Sequence, residues 1–446
     1  MHINYLLEIF KKNKNKDAII WNNSSYTYDW LLKNYNLWLR ILKENSVKPG
    51  SVVVIHADFS PKAISLLLAA IELNTIIVPL TDSVQSKAND FINISSGEVI
   101  IRIDKNDDFS IQKIEKTPSN KYYDNLRLRQ HPGLVLFSSG STGESKASVH
   151  DLTFLLEKFK IKRHCLITIT FLLYDHIGGF NTLFYVLSNA GLIVTVQSRT
   201  PIEILKLIEN FKVQLLPTSP TFLNMLLLSE DYHNYNLDSL ELITYGTEPM
   251  PMTTLKKLND IFPKIRFLQT YGLSEVGILR SKSKSSNSLW VKIGGEDYKT
   301  RIVDGMLEIK SKSSMLGYLN APSPFTNDGW FKTGDAVEEK GEYIKIIGRK
   351  SEIINVGGEK VYPQEVENVL LSHPIIEDAV VYGEKNLITG NIVCAKIKIT
   401  DLKNTDRLKN DLKRFCSRKL EKFKVPLKFQ IDQDNQHNLR FKKDRN

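Results

Sequence analysis

Between Ser51 and Pro79 the chain alternates apolar segments with short polar breaks, and this stretch restricts the fold more than any other. Ser51 to Ile55 carries four consecutive β-branched residues and reads as a buried strand. Pro61 to Glu72 reads as a helix capped by Ser60, and Thr75 to Pro79 as a second strand. A strand, a helix and a strand in so few residues make a β-α-β unit, which demands a parallel strand pair covered by a helix. The alternation recurs as strand Leu192 to Val196, helix Pro201 to Asn210, strand Val213 to Leu216, helix Thr221 to Leu228 and strand Glu241 to Tyr245, with a further strand ending near Gln269. The fold class expected is therefore α/β, with stacked, largely parallel sheets and covering helices.

At 446 residues the chain exceeds what one core supports, so at least two domains are expected. After Arg349 the texture changes to a compact α-β-β-α-β pattern, with a helix from Gln364, strands around Ala379 and from Ile392 to Ile399, and a basic helix from Asp406. The division expected is a large N-terminal domain over 1–350 and a small mobile α+β C-terminal domain over 351–446, hinged near Ser351. The polar stretches Glu115 to His131 and Ser281 to Ser288 read as surface connections.

No apolar run approaches the 18 residues of a membrane span, the longest being Ala63 to Ile71. Near the N-terminus an apolar Leu6 to Phe10 precedes the basic Lys11 to Lys16, the reverse of a secretory signal. Cys165, Cys394 and Cys416 are few, odd in number and widely spaced, which fits a reducing cytoplasm. Net charge is +10, and Lys409, Lys413, Arg414, Arg418, Lys419, Lys422, Lys424 and Lys428 crowd together. That cluster is either a solvated helix face or a landing surface for an acidic partner, a phosphorylated cofactor or an acidic protein. No aromatic-basic interleaving accompanies it, so no nucleic-acid partner is expected.

Phe137 to Lys146 reads Phe-Ser-Ser-Gly-Ser-Thr-Gly-Glu-Ser-Lys and follows the strand-like Leu134 to Leu136. A loop at a strand end is where α/β sheets place ligands. Gly140 and Gly143 let the backbone approach an anion, Ser139, Ser141 and Thr142 supply hydroxyls, and Lys146 supplies charge. The glycines are too close, and the lysine too late, for a Walker loop. By itself the segment is equally a polar surface turn.

Three further segments follow in order: Gln269 to Glu275, Trp330 to Asp335, and Gly348 to Glu352 leading to Gly357 through Pro363. With the glycine-serine loop, these motifs resemble the acyl-adenylate-forming superfamily of acyl-CoA synthetases, peptide-synthetase adenylation domains and luciferases, over nearly the whole chain from Ala18 to Arg445. The resemblance implies ATP-dependent activation of a small-molecule carboxylic acid to acyl-AMP, with pyrophosphate release and transfer to a thiol.

By that resemblance Ser139, Gly140, Ser141, Thr142, Gly143 and Lys146 hold the β- and γ-phosphates. Tyr271 offers a face to adenine beside Gly272, Ser274 a hydroxyl to the α-phosphate, and Glu275 a hard oxygen to Mg2+. Gly246, Thr247 and Glu248 line the adenine slot. Asp335 accepts the ribose hydroxyls, supported by Arg349, and Asp335→Ala is expected to weaken ATP use with the fold intact. Lys442 is the mobile cation that bridges carboxylate and α-phosphate, with Lys443 an alternative register. His176 gates an acyl pocket that also involves Gly178, Gly246 and Thr270, with Pro217 to Pro220 as another wall and Asp175 as an exposed cap. Gly358 leaves room for a pantetheine thiol.

Ser145, Ala147, Ser351 and Phe441 depart from the family pattern. A missing proline at Ser145 implies a looser phosphate loop. Three functions stay open: a CoA ligase, favoured by Gly357 to Tyr362; a freestanding ligase loading a separate carrier protein; and a degenerate nucleotide or acyl sensor. Retention of Lys146, Glu275, Asp335, Arg349 and Lys442 argues against the last.

Overall fold

The computed structural model describes residues 2–116, 118–139, 144–295, 297–400 and 405–431. The β-α-β unit forms as expected. Strands Val52–His56 and Ile76–Leu80 pair in parallel, with Val53 opposite Ile77, and helix Pro61–Glu72 connects them. Ser60 caps that helix by accepting the Ala63 N–H at 3.1 Å. Both strands lie inside a seven-stranded sheet whose order is Gly317–Tyr318, Ser145–Asp151, Gly133–Ser139, Ile76–Leu80, Val52–His56, Val99–Ile103 and Phe109–Lys113. Its centre is parallel and its edges are antiparallel.

A second seven-stranded sheet runs Arg266–Gln269, Leu242–Tyr245, Leu215–Thr218, Ile167–Ile169, Leu192–Val194, Asp17–Trp21 and Ser24–Thr27, parallel except for the last pair. The two sheets stack through helices. One buried cluster joins Val53, Ile77 and Leu134 of the first sheet to Ile19 and Ile193 of the second through Leu66, Leu67 and Leu68 of helix Pro61–Glu72 and Leu183 of helix Ile177–Ser188. A helix held between two sheets is buried all round, which is why Pro61–Glu72 is apolar on nearly every face.

Two features depart from the sequence expectation. The stretch from 115 to 131 contains helix Lys121–Arg129, capped by Asn120 and buried only at Tyr123 and Leu126. So narrow an apolar stripe leaves almost no periodic signal. Arg280–Ser283, overlapping the second supposed connection, is a strand that opens a six-stranded antiparallel sheet running on through Val291–Gly294, Tyr343–Arg349, Phe331–Lys340, Met306–Ser311 and Tyr298–Val303. That sheet went unread because strands such as Arg280–Ser283 and Tyr298–Val303 are charged on their open face and bury little.

From Pro363 onward the α-β-β-α-β pattern appears as Pro363–Leu371, Ile376–Asn386, Gly390–Ile399, Thr405–Ser417 and Lys428–Ile431. These elements close over a separate apolar cluster that includes Val366, Val381, Ala395 and Leu412. They touch the rest of the chain where Gln364 Nε2 donates to Pro249 O and Asn224 Nδ2 donates to Glu377 O, both at 3.2 Å. In the basic stretch, Lys424 pairs with Glu365 at 2.8 Å and Glu421 at 2.6 Å, and Lys428 pairs with Glu384. Part of that charge is thus spent within the fold. No helix among the described residues is long and apolar enough to cross a membrane.

Candidate active site

Strand ends of the two seven-stranded sheets converge on a cleft of about 360 Å³. Pro217, Thr218, Thr244, Gly246, Thr247 and Thr270 line it from the second sheet, and Phe137, Ser138 and Ser145 from the first. Two neighbouring strands of the second sheet end close together here. A Cβ at Gly246 would lie 2.6 Å from the Thr270 hydroxyl, so only glycine fits between the two strand ends. Glu248 is not among the lining residues. Its Oε1 accepts the Thr221 N–H at 2.7 Å, at the start of helix Pro220–Ser229.

Lys146 lies on the return strand of a hairpin, opposite Ser138, and Ser139 is opposite Ser145. Gly140 to Gly143, between those strands, lie outside the described residues. Asn320 clamps the hairpin: its Nδ2 donates to Ser145 O at 2.8 Å and its Oδ1 accepts the Ala147 N–H at 3.0 Å. These bonds hold the backbone on both sides of Lys146, so the missing proline at Ser145 does not leave this strand unsupported.

Gly272, Ser274 and Glu275 all line the cleft. Glu275 Oε1 accepts the Tyr318 hydroxyl at 2.7 Å, and Lys146 Nζ lies 5.6 Å from the centre of the Tyr318 ring. Tyr318 thus stands between the loop cation and the carboxylate. Burial and the adjacent Glu275 raise its phenol well above the ordinary value, so it stays a donor. Behind Ser274, the buried His150 donates from Nε2 to the Ser274 carbonyl at 2.6 Å, and burial pushes its imidazole down to about 4.

Asp335 and Arg349 face each other across Phe331–Lys340 and Tyr343–Arg349. Arg349 lines the cleft and pairs through Nε with Asp335 Oδ1 at 3.1 Å, while Tyr271 donates its hydroxyl to Asp335 Oδ2 at 2.5 Å. Burial raises the Asp335 carboxyl, and the Arg349 guanidinium and the Tyr271 hydroxyl only partly offset that. Asp335 and Tyr271 sit behind the lining rather than in it. Each oxygen of Asp335 has one donor already and keeps capacity for a second.

At the other end of the cleft, His176 and Gly178 are lining residues, and His176 Nδ1 accepts the Gly178 N–H at the start of helix Ile177–Ser188. Asp175 is buried, at 5% exposure, which overturns its expected place as an exposed cap. On the same wall Asn181 lines the cleft, and its Oδ1 accepts from Lys158 Nζ at 2.6 Å. Lys158 also donates to Ile278 O at 2.8 Å, and burial, reinforced by Arg280, lowers its ammonium to about 7.

Gly358, assigned to a moving part, is not among the residues that line the cleft. Gly358 sits at positive φ with Gly357 in an exposed hairpin turn, with open space around the position of a Cβ. Lys442 and Lys443 lie outside the described residues. Sequence reasoning missed Tyr318, Asn320, His150, Lys158 and Asn181. Each acts through a partner distant in sequence, so no local motif could reveal it.

Comparison with known proteins agrees with this architecture. A model described as AMP-binding enzyme matches residues 7–305, and one described as AMP-binding enzyme C-terminal domain matches residues 365–436. A long-chain-fatty-acid–CoA ligase of Bacillus subtilis is 28% identical over 52% of this chain, which spans only 44% of that relative's length. A 2-succinylbenzoate–CoA ligase of Bacillus pumilus is 25% identical over 96% of this chain and 93% of its own. The crystal structure of an anthranilate CoA ligase with anthranoyl-AMP superposes with a TM-score of 0.79 at 18% identity, covering 96% of this chain and 93% of that one. With a family model matching well over half its length, the chain belongs to the AMP-binding enzymes, the acyl-adenylate-forming superfamily.

Proposed function

We propose that the cleft binds ATP beside a carboxylic acid and joins them as acyl-AMP, and that the acyl group then passes to a thiol, with CoA the preferred acceptor. The observation that carries this reading is the common orientation of Glu275, Ser274 and Arg349 into one cleft whose rim carries the hairpin of Lys146. A carboxylate oxygen attacks the α-phosphorus, the bond to the β-phosphate oxygen breaks, and pyrophosphate leaves. Both reactants are anions, so the protein's task is to align them and offset charge. Lys146 is suited to the leaving phosphates and Arg349, with Asp335 behind it, to the ribose. The Ser274 hydroxyl is suited to the α-phosphate, its backbone held by His150.

Glu275 fits a magnesium ion: it is a hard oxygen donor on the cleft, with one oxygen steadied by Tyr318. No cluster of three or more possible ligands exists among the described residues, so phosphate and water oxygens would complete its shell. Bound there, the ion would neutralise phosphate charge.

In the second half-reaction the thiol attacks the acyl carbon and AMP departs with its oxygen. We assign residues 351–446 as the moving domain, hinged at Ser351, which presents Lys442 for the first step and the Gly358 turn for the second. The cysteines described are all unpaired, in keeping with a reducing cytoplasm.

The test is pyrophosphate release from ATP over a panel of carboxylic acids, repeated with CoA and with a purified carrier protein. Acid-dependent release coupled to CoA thioester formation supports the reading. Release coupled only to carrier loading would move the acceptor to a separate protein, and no release with any acid would return the chain to a sensor.

A further inference from the structure

The wall formed by Asn181 carries a chemical preference of its own. Lys158 Nζ donates to Asn181 Oδ1, and this bond orients the amide so that Nδ2 turns the other way. Lys158 is itself fixed by its second acceptor, the Ile278 carbonyl, and Ile278 also lines the cleft. Asn181 Nδ2 has no protein acceptor among the described residues, although the side chain lines the cavity. The neighbouring hydroxyl, Thr182, spends its proton on Gly178 O at 2.9 Å. This end of the cleft therefore offers an N–H donor oriented by the Lys158 amine behind it.

We infer that Asn181, oriented by Lys158, selects carboxylic acids bearing a second oxygen acceptor, a keto or second carboxylate oxygen several bonds from the carboxyl that reacts. The inference rests on the reading that the cleft takes a carboxylic acid. Asn181 would touch the substrate, and Lys158 is a positioning residue. A plain alkyl chain would leave the amide unpaired in a partly dry wall, which is a penalty rather than an indifference.

The test uses the full chain and three matched acids: hexanoate, 5-oxohexanoate and hexanedioate. Binding is measured by calorimetry without ATP, and pyrophosphate release is measured separately with it. Wild type should bind at least one of the two acceptor-bearing acids at least about ten-fold more tightly than hexanoate, the discrimination of one good hydrogen bond. Asn181→Leu should bring the three within about two-fold of each other, the loss appearing in KM rather than kcat. Asn181→Asp keeps a partner for Lys158 and presents acceptors instead, so it should prefer 5-hydroxyhexanoate to 5-oxohexanoate. Equal affinity for all three acids in wild type overturns the inference, as does a preference that survives both substitutions or no binding of any acid. A binding preference without pyrophosphate release would sustain it and overturn the adenylation reading instead.

Discussion

Asp335→Ala tests how the ribose end of the cleft is built. The carboxylate is 4% exposed and accepts from Tyr271 at 2.5 Å and Arg349 at 3.1 Å, so its removal strands a buried phenol as well as a cation. A buried donor left without an acceptor costs about 1–3 kcal/mol. Arg349 is half-exposed and water can take over its charge, so its share is small. Burial already raises the Asp335 carboxyl, and relief of that desolvation returns part of the cost. The net expectation is a destabilisation of about 1–2 kcal/mol with the fold intact. Tyr271→Phe removes the orphaned hydroxyl, so the double variant should be less destabilised than the two single changes summed, by about 1 kcal/mol. Urea unfolding followed by tryptophan fluorescence supplies the cycle, and calorimetry should show ATP binding weakened roughly ten-fold or more by Asp335→Ala. Strict additivity, or unchanged ATP affinity, would refute the argument.

His150 is held neutral at about 4 by burial, below its ordinary 6.5. Its stabilising contribution should be complete above pH 6.5 and lost as pH falls toward 4, by at most roughly 3 kcal/mol. His150→Gln should flatten the unfolding free energy in that window relative to wild type. Tyr318→Phe removes the hydroxyl that steadies Glu275, so the Mg2+ concentration for half-maximal pyrophosphate release should rise several-fold, about 1 kcal/mol, with the fold intact; an unchanged Mg2+ dependence would detach Glu275 from the metal. Gly358→Leu should leave acyl-AMP formation in place while thioester formation fails, so single turnovers accumulate acyl-AMP. Equal loss of both steps would reduce Gly358 to a backbone requirement for its positive φ.

The parallel sheets were legible because their strands are buried on both faces and their helices are capped where Ser60, Thr200 and Ser219 stand. The antiparallel sheet from Arg280 to Arg349 was not, because strands such as Tyr298–Val303 bury little and alternate weakly. In the site, the motif residues Ser274, Glu275 and Arg349 reach the cleft, since each sits on or beside a strand whose register fixes it. The residues that steady them were invisible. Tyr318 reaches Glu275 only because the two-residue strand Gly317–Tyr318 adds to the edge of the first sheet, and helix Lys121–Arg129 brings Tyr122 so near Gly317 that no side chain would fit there. Glu248 is a further case, since its Oε1 accepts the Thr221 N–H at a helix start, a contact that no local pattern announces.

The most direct measurement of the central claim is the fate of carboxylate oxygen. A carboxylic acid that supports turnover, labelled with 18O in both oxygens, is converted with ATP and CoA, and the AMP, pyrophosphate and any phosphate are examined by mass spectrometry. Attack on the α-phosphorus followed by cleavage of the acyl carbon–oxygen bond must leave one labelled oxygen in each AMP formed. Label in phosphate or pyrophosphate, or unlabelled AMP alongside thioester, would contradict an acyl-adenylate.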